Sequence, residues 1–406
     1  MNEKIQWIAN QMKKKHEKKA AIDFLSPEEI VKAKKFLMSF PCYKETPLRN
    51  LDDLAHKMGV AGIYVKDESY RFGLNAFKVL GGSYAIARYL AQRLNMDISE
   101  LSFDLLTSKA IKEKLGDITF TTATDGNHGR GVAWTAHQLG QKSVVYMPKG
   151  SSQIRLKNIQ AEGAEAYITE LNYDDAVRLA ADNSDKYGWV MVQDTAWSGY
   201  EDIPTWIMQG YGIMAAEALE QLNHLGVDKP THIFVQAGVG SLAGAIQGYY
   251  ASVFSPNTPK TVIVEANKAD CLYKSVEAGD GKARMVGGDM QTIMAGLACG
   301  EPNTIGWEIL RDYSDMFVSC PDWVAAKGMR MLGNPIGNDY RVISGESGAV
   351  TLGVLSVLMQ NDELKEAREY IQLNSDSKVL LFSTEGDTDQ EKYRSIVWDG
   401  EYPSYE

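Results

Sequence analysis

The stretch HIFVQAGVGSLAG, residues 232–244, joins an apolar run to a glycine-rich turn and then to the start of a helical pattern. The same order recurs along the chain. Short apolar runs stand at 62–66, 118–121, 142–147, 166–169, 189–192, 232–236, 261–265 and 379–382. Helical patterns lie between them, for example at 81–94, 129–139 and 207–222. This alternation predicts an α/β fold in which mostly parallel, twisted sheets are flanked by helices.

The composition is that of a globular protein with a substantial core. Of its 406 residues, 44% are hydrophobic and 23% are charged. The formal net charge of −11 argues against nucleic acid and anionic membranes as main partners. We expect a cytoplasmic protein, because the sequence has neither a signal peptide nor an apolar stretch of about 18 residues. The four cysteines lack metal-site spacing, and a bridge between Cys271 and Cys299 stays open.

The residues that follow the apolar runs are the candidate site, because parallel sheets bind ligands at the carboxyl ends of their strands. The first candidate is Lys78 in NAFKVLGG, residues 75–82, between Phe77 and Val79. A lysine among apolar neighbours is unusual, and desolvation favours the neutral, nucleophilic amine that Schiff-base chemistry requires. The alternative is an ordinary, partly exposed lysine.

The second candidate is TTATDGNHGRG, residues 121–131, between a predicted strand and a predicted helix. Its backbone N–H groups can form an anion-binding turn that suits a substrate carboxylate. Asn127 is a donor for a phenolate oxygen, and Asp125 is a general acid/base. The alternative is a helix cap in which Asp125 is the capping acceptor. We interpret His128 as packing against this turn and not as catalytic.

Two further turns have the chemistry of a binding site. In GVGSLAG, residues 238–244, glycines let the backbone approach a phosphate, and Ser241 adds a hydroxyl. A dinucleotide site is the alternative there, with Glu265 as the ribose-binding acid. In LFSTEGD, residues 381–387, a hydroxyl at the end of the strand can face a pyridine nitrogen, or the segment is a simple exit from the strand. Asp194 is either a turn acid or a contact for a substrate ammonium group.

Taken in order from about Thr46 to Asp387, these motifs resemble the fold-type II enzymes that use pyridoxal 5'-phosphate (PLP). The resemblance implies two lobes, each a mostly parallel twisted sheet flanked by helices, with PLP in the cleft between them. It implies that Lys78, next to Phe77, binds PLP as a Schiff base. It also implies Asn127 as the partner of the cofactor's O3' and Ser383 as the partner of its ring nitrogen. The residues implied for the phosphate are Gly238, Val239, Gly240, Ser241 and Leu242.

Two departures from the superfamily pattern narrow the resemblance. Ala76 stands where serine is usual, and Asp125 stands where a small residue is usual. Together with VQDTAW at 192–197 and an insert around 97–115, they resemble the diaminopropionate ammonia-lyases. This resemblance implies an α,β-elimination that converts a small amino-acid substrate, 2,3-diaminopropionate in both its D and L forms, to pyruvate and two ammonia molecules. It implies Lys78 and Asp125 as the catalytic residues.

The remaining expectations concern the substrate, the assembly and the domains. The substrate-binding residues are expected to be Thr124, Asp125, Gly126 and Asp194. We expect no metal and a homodimer. A large PLP-binding domain is expected at 1–82 and 193–406, and a small α/β domain at 83–192. The alternatives are a serine/threonine dehydratase or β-replacement enzyme of the same superfamily and, more remotely, an NAD-dependent oxidoreductase.

Overall fold

The computed structural model describes residues 4–14, 19–124 and 126–404. Eleven strands lie in these ranges: β1 Gln6–Ala9, β2 Leu48–Asn50, β3 Gly62–Asp67, β4 Thr119–Ala123, β5 Lys142–Met147, β6 Glu165–Ile168, β7 Val190–Met191, β8 His232–Gln236, β9 Lys260–Ala266, β10 Met316–Cys320 and β11 Lys378–Ser383. The α-helices of the same ranges are α1 Pro27–Met38, α2 Asp52–Met58, α3 Val79–Leu94, α4 Phe103–Thr107, α5 Lys109–Leu115, α6 Asn127–Gln138, α7 Gln153–Ala161, α8 Tyr173–Tyr187, α9 Asp202–His224, α10 Ser241–Phe254, α11 Cys271–Ala278, α12 Thr304–Tyr313, α13 Asp322–Gly333, α14 Glu346–Gln360, α15 Lys365–Ile371 and α16 Gln390–Val397.

Seven of the strands form the larger sheet, in the order β1-β10-β9-β8-β11-β3-β2. Its five central strands are parallel, and the edge strands β1 and β2 are antiparallel to their neighbours. The central strands are buried along nearly their whole length. Continuous apolar runs are what a parallel sheet needs when helices cover both of its faces.

The other four strands form a parallel sheet in the order β6-β5-β4-β7. All four lie within 83–192, and every strand of the larger sheet lies outside that range. The predicted pair of mostly parallel sheets is therefore confirmed. The domain boundaries stay a prediction, because α3 crosses the first of them and packs against both α9 and α6.

Helix α3 positions Lys78, which directly precedes it. On one side α9 packs so closely that a Cβ added to Gly210 would lie 2.4 Å from the carbonyl oxygen of Leu80. On the other side, a Cβ added to Gly131 of α6 would lie 2.8 Å from the Cα of Val79. Because glycine stands at both contacts, the two helices hold the start of α3 between them.

The insert around 97–115 covers the core and is built from α4, α5 and the turn before them. Leu101, Leu106 and Leu115 join the large hydrophobic cluster of the molecule. The ring of Phe103 lies 4.7 Å from that of Phe40, between centroids. The packing gives this segment a structural role, which the sequence left unassigned.

Two further features can be compared with the sequence predictions, namely the state of the cysteines and the length and polarity of the helices. All four cysteines lie within the described chain and are free thiols, so Cys271 and Cys299 form no bridge. In the three ranges given above, no helix is both long and apolar enough to cross a membrane.

Candidate active site

A pocket lies where the carboxyl ends of strands from both sheets meet. Strands β8 and β11 lead into it from the larger sheet, and β4 and β7 lead into it from the smaller one. The lining residues are Phe77, Lys78, Asn127, Asp194, Tyr211, Gln236, Ala237, Gly238, Val239, Gly240, Ser241, Leu242, Gly296, Leu297, Cys299, Ser347, Thr384 and Glu385. The fold thus brings together Phe77, Lys78, Asn127, Asp194 and the whole of the loop 238–242, as the sequence predicts.

Lys78 and Asp194 form an ion pair in this pocket. Their Nζ and Oδ2 atoms are 2.7 Å apart, and Asp194 is 2% exposed. Burial opposes ionisation of Asp194, but the positive charge of Lys78, and secondarily of His128, holds the pKa of this carboxyl below its usual value. His128 itself is buried against the backbone, with Nε2 2.7 Å from the carbonyl oxygen of Val192. The pair therefore keeps an ionised carboxylate beside the lysine amine.

The backbone carbonyl of Asp194 is held by two side chains. Ser241 donates its hydroxyl hydrogen to this oxygen, and Asn303 donates to it from Nδ2 at 2.8 Å. Asn303 also donates to Ser241 Oγ at 2.9 Å. Asn303 was not predicted, because it caps α12 and nothing in the sequence distinguishes it from an ordinary cap.

The loop 238–242 leads into α10 and forms an anion cradle. Gly240 has a left-handed backbone with a φ of +97°, and a Cβ on Gly238 would lie 3.2 Å from the Cα of Leu297. The first N–H groups of a helix have no carbonyl partner within that helix, and the helix dipole favours negative charge there. The loop and the start of α10 therefore fit the phosphate of PLP.

Asn127 begins α6 and donates from Nδ2 to Glu385 Oε2 at 2.6 Å. Glu385 is 2% exposed, and within the described part of the chain its Oε1 has no hydrogen-bond partner. An amide nitrogen carries two hydrogens, so Asn127 retains one for the predicted contact with O3'. Glu385 was not predicted as a site residue, although it belongs to the quoted motif LFSTEGD.

Ser383 is absent from the described residues that line the pocket. It ends β11, and its hydroxyl donates to Ser344 Oγ at 2.8 Å. Thr384 lines the pocket instead, and its Oγ1 accepts from Gln236 Nε2 at 2.7 Å. Successive side chains of a strand point to opposite faces, so a shift of one residue along the chain exchanges the side chain that faces the pocket. Here Thr384 faces the pocket and Ser383 does not line it. The contact of Ser383 with the ring nitrogen stays a prediction, and Ser347 is a further hydroxyl that faces the pocket.

The predicted substrate-binding turn 124–126 is only partly described, because Asp125 lies outside the described residues. Thr124 Oγ1 accepts hydrogen bonds from the backbone N–H groups of Gly126 and Gly129 at 2.9 and 3.1 Å. This hydroxyl therefore organises the turn. Neither Thr124 nor Gly126 is among the described lining residues, and their contact with substrate stays a prediction.

Together these residues supply the contacts that PLP needs. Lys78 offers an amine, the loop 238–242 a phosphate cradle, Asn127 an amide donor and Thr384 a hydroxyl. Two mostly parallel sheets with this constellation between them define a PLP-dependent enzyme of fold type II. Comparison with known protein families supports this assignment, because the family model described as pyridoxal-phosphate dependent enzyme matches residues 40–376. The chain belongs to that family.

Relatives within this family include diaminopropionate ammonia-lyases. The enzyme of Escherichia coli K12 is 56% identical over 91% of each chain. That of Salmonella typhimurium LT2 is 53% identical over 98% of this chain and 99% of its own. The crystal structure of the Escherichia coli enzyme with an aminoacrylate–PLP azomethine intermediate is 50% identical, covers 98% of each chain and has a TM-score of 0.89. The predicted resemblance, fold class and cofactor are confirmed.

The alternative of an NAD-dependent oxidoreductase is wrong. Its ribose-binding acid would be Glu265, but this side chain is fully buried. The two carboxylate oxygens of Glu265 accept from the backbone N–H groups of Leu272 and Tyr273, at 2.8 and 2.7 Å. Glu265 therefore stabilises the start of α11 and is not free to bind a ribose.

Proposed function

We propose that this chain eliminates both amino groups of 2,3-diaminopropionate, giving pyruvate and two ammonia molecules. The net reaction consumes one water, because the second ammonia leaves by hydrolysis of an imine. The observation that carries the proposal is the ion pair between Lys78 and the buried Asp194, beside a phosphate cradle. The relatives named diaminopropionate ammonia-lyase support this substrate.

Lys78 is the proposed proton carrier of the reaction. Bound PLP supplies the electron sink that makes removal of the Cα proton accessible. Once the substrate amine has displaced it, the Lys78 amine is neutral and takes the Cα proton from one face. Ammonia is a poor leaving group unless its nitrogen is protonated, so Lys78 then returns a proton to the β-nitrogen. Positioned acid–base groups of this kind contribute about 10²–10⁴-fold each.

Asp194 is proposed to select a diamine. Its carboxylate is ionised and buried, and its partner in the structure is the Lys78 amine. A second ammonium group on the substrate can take the place of that partner, whereas the hydroxyl of serine or threonine brings no charge. Asp125 is proposed to act from the opposite face, where it removes the Cα proton of the D-isomer.

For the cofactor contacts we propose those that the sequence predicts, with one addition. We assign the phosphate to Gly238, Val239, Gly240, Ser241 and Leu242. Phe77 and Asn127 contact the ring and O3'. Ser383 and Thr384 are the two candidates for the contact with the ring nitrogen. Thr384 is supported by its place in the lining of the pocket.

The test is to assay the purified, PLP-loaded enzyme with each isomer of diaminopropionate and no added nucleophile. We expect two ammonia molecules per pyruvate. Lys78→Ala should lose both the product and the visible absorption band of the bound cofactor, whereas Lys142→Ala, at a position 68% exposed, should keep both. A higher kcat/KM for serine or threonine would instead make the chain a dehydratase, and pyruvate that forms only with an added thiol would contradict elimination.

A homodimer in the cytoplasm is proposed from the family resemblance alone. The mass of the PLP-loaded protein in solution, measured by light scattering after gel filtration, tests the dimer. A monomer that retains full activity would contradict it.

A further inference from the structure

Tyr211 is a pocket residue that neither the sequence nor the proposed reaction uses. It lies on α9, is 1% exposed and lines the pocket together with Lys78 and Asp194. Its ring packs against Phe77 with 4.7 Å between the centroids. Its hydroxyl has no hydrogen-bond partner among the residues that the structure describes. A buried, unsatisfied hydroxyl is rare enough to need a reason.

The charge state of Tyr211 makes its hydroxyl a donor. Burial raises the pKa of the phenol well above its usual value; the positive charge of Lys78 partly opposes this shift, and Asp194 adds to it. The hydroxyl therefore stays protonated throughout the working range of an enzyme. A protonated phenol in the same pocket as a carboxylate can donate a hydrogen bond to it.

We propose that Tyr211 Oη donates a hydrogen bond to the carboxylate of Asp194 whenever the Lys78 amine turns away from it. The inference rests on the proposed function in one respect, namely that Lys78 leaves Asp194 in order to bind the cofactor. Tyr211 is then a positioning residue, which holds Asp194 ionised and ready for the substrate ammonium.

The energetic reason is the cost of an unpaired buried charge. Asp194 is 2% exposed, so loss of the Lys78 ammonium leaves its carboxylate without solvent to replace it. The groups that face Asp194 are Lys78 from the start of α3, His128 from α6, Tyr200 before α9, Tyr211, and the neighbouring Gln193, whose Nε2 donates to Asp194 Oδ1 at 3.5 Å. The hydroxyl of Tyr200 is occupied, because it donates to the carbonyl oxygen of Met191 at 3.0 Å. The Gln193 amide is a weak donor at that distance and also donates to Tyr173 Oη at 2.8 Å. Tyr211 is therefore left as the neutral donor whose hydroxyl has no other partner among the described residues.

A double-mutant cycle on the cofactor-free protein tests the inference without any catalysis. In the parent chain, Tyr211→Phe should leave the unfolding equilibrium constant unchanged or lower it slightly, because the lost hydroxyl was unsatisfied. In the Lys78→Ala background, where Asp194 has lost its ammonium, the same change should raise that constant about tenfold. Tyr84→Phe is the matched control, since Tyr84 is equally buried but does not line the pocket, and its effect should be equal in both backgrounds.

The pH profile of the loaded enzyme gives a second readout. With Tyr211→Phe the acid limb of kcat/KM for diaminopropionate should move to higher pH, because Asp194 is then easier to protonate. A purely structural role would lower kcat/KM equally at every pH. Equal effects of Tyr211→Phe in the two backgrounds of the cycle would overturn the inference even if the elimination itself is demonstrated, so the two failures are distinguishable.

Discussion

At the scale of single residues, Asp194 has both a proposed chemical role and a structural role, because its side chain and its backbone have different partners. The carboxylate pairs with Lys78, while the carbonyl oxygen is held by Ser241 and Asn303. A change of side-chain charge therefore leaves the backbone scaffold in place. This separation makes substitutions at 194 informative about charge alone.

Asp194→Asn should cost the enzyme its preference for a diamine. Asparagine keeps the shape and the backbone contacts but removes the charge, and loss of one member of a buried ion pair costs about 3 kcal/mol or more. We expect kcat/KM for diaminopropionate to fall about 100-fold while that for serine changes much less. Asp117→Asn, at a position 83% exposed, is the control and should change neither. Equal losses for the two substrates would assign Asp194 to the cofactor and not to the diamine.

Asp125→Asn should separate the two isomers of the substrate. If Asp125 is the base on the face opposite Lys78, removal of its charge lowers kcat/KM for the D-isomer by about 10²–10⁴-fold. The L-isomer, whose Cα proton goes to Lys78, should lose less than about tenfold. Steady-state assays with each pure isomer measure the ratio. A common loss for both isomers would make Asp125 a binding residue.

Much of the site could be predicted from the sequence, but only where a motif marks it. Lys78 and Asn127 stand in short motifs whose order is recognisable, so they were found. Tyr211 and Asn303 could not be found that way. Tyr211 lies in a long apolar helix, in which the sequence pattern predicts that an aromatic side chain belongs to the hydrophobic core. Its proposed role depends on its hydroxyl, and the residues around that hydroxyl are distant in the chain.

At the scale of elements, the loop 238–242 depends on the left-handed backbone of Gly240, with a φ of +97°. Gly240→Ala puts a Cβ into that conformation at a cost of about 1–2 kcal/mol. The loop should then shift away from the phosphate, and the dissociation constant of PLP should rise about tenfold. Fluorescence titration of the cofactor-free protein with PLP measures this change.

The control for Gly240→Ala is Gly279→Ala. Gly279 follows α11 with a φ of +67°, and a Cβ there would meet no atom within 4 Å. It carries the same kind of backbone strain away from the pocket, so it should lower stability without changing the affinity for PLP. If both variants bind PLP as the parent does, the loop is not the phosphate cradle.

The strands show which elements local patterns can reveal. Eight apolar runs predict β3, β4, β5, β6, β7, β8, β9 and β11 to within two residues at each end. The runs miss β1, β2 and β10. The first two are edge strands of four and three residues, only partly buried, so their pairing depends on residues distant in the chain. Strand β10 is a five-residue buried run between helices, which periodicity alone does not distinguish from a helical segment.

At the scale of the whole molecule, charged groups from both sheets meet around one buried carboxyl. Glu346 begins α14, beside the larger sheet, and is 5% exposed. Burial first, and then the negative charge of Glu385, raise its pKa to about 7, although Arg155 of α7, beside the smaller sheet, opposes the shift. Since Glu385 also binds Asn127, the ionisation of Glu346 bears on contacts between the two halves of the molecule.

Glu346→Gln should therefore change how stability depends on pH. Between about 4.5, the ordinary pKa, and about 7, the folded chain holds this proton while the unfolded chain has released it. The binding of this proton contributes up to about 3 kcal/mol to the free energy of unfolding. This contribution is fully present below pH 4.5 and is lost as the pH rises to about 7. In urea unfolding of the PLP-loaded protein, the parent should lose this amount between pH 4.5 and 7.5 relative to Glu346→Gln. Glu363→Gln, at a position 67% exposed, should follow the parent. Parallel curves for the parent and Glu346→Gln would show that the pKa of Glu346 is the same in the folded and unfolded chains, so that the charges around this carboxyl do not couple its proton to folding.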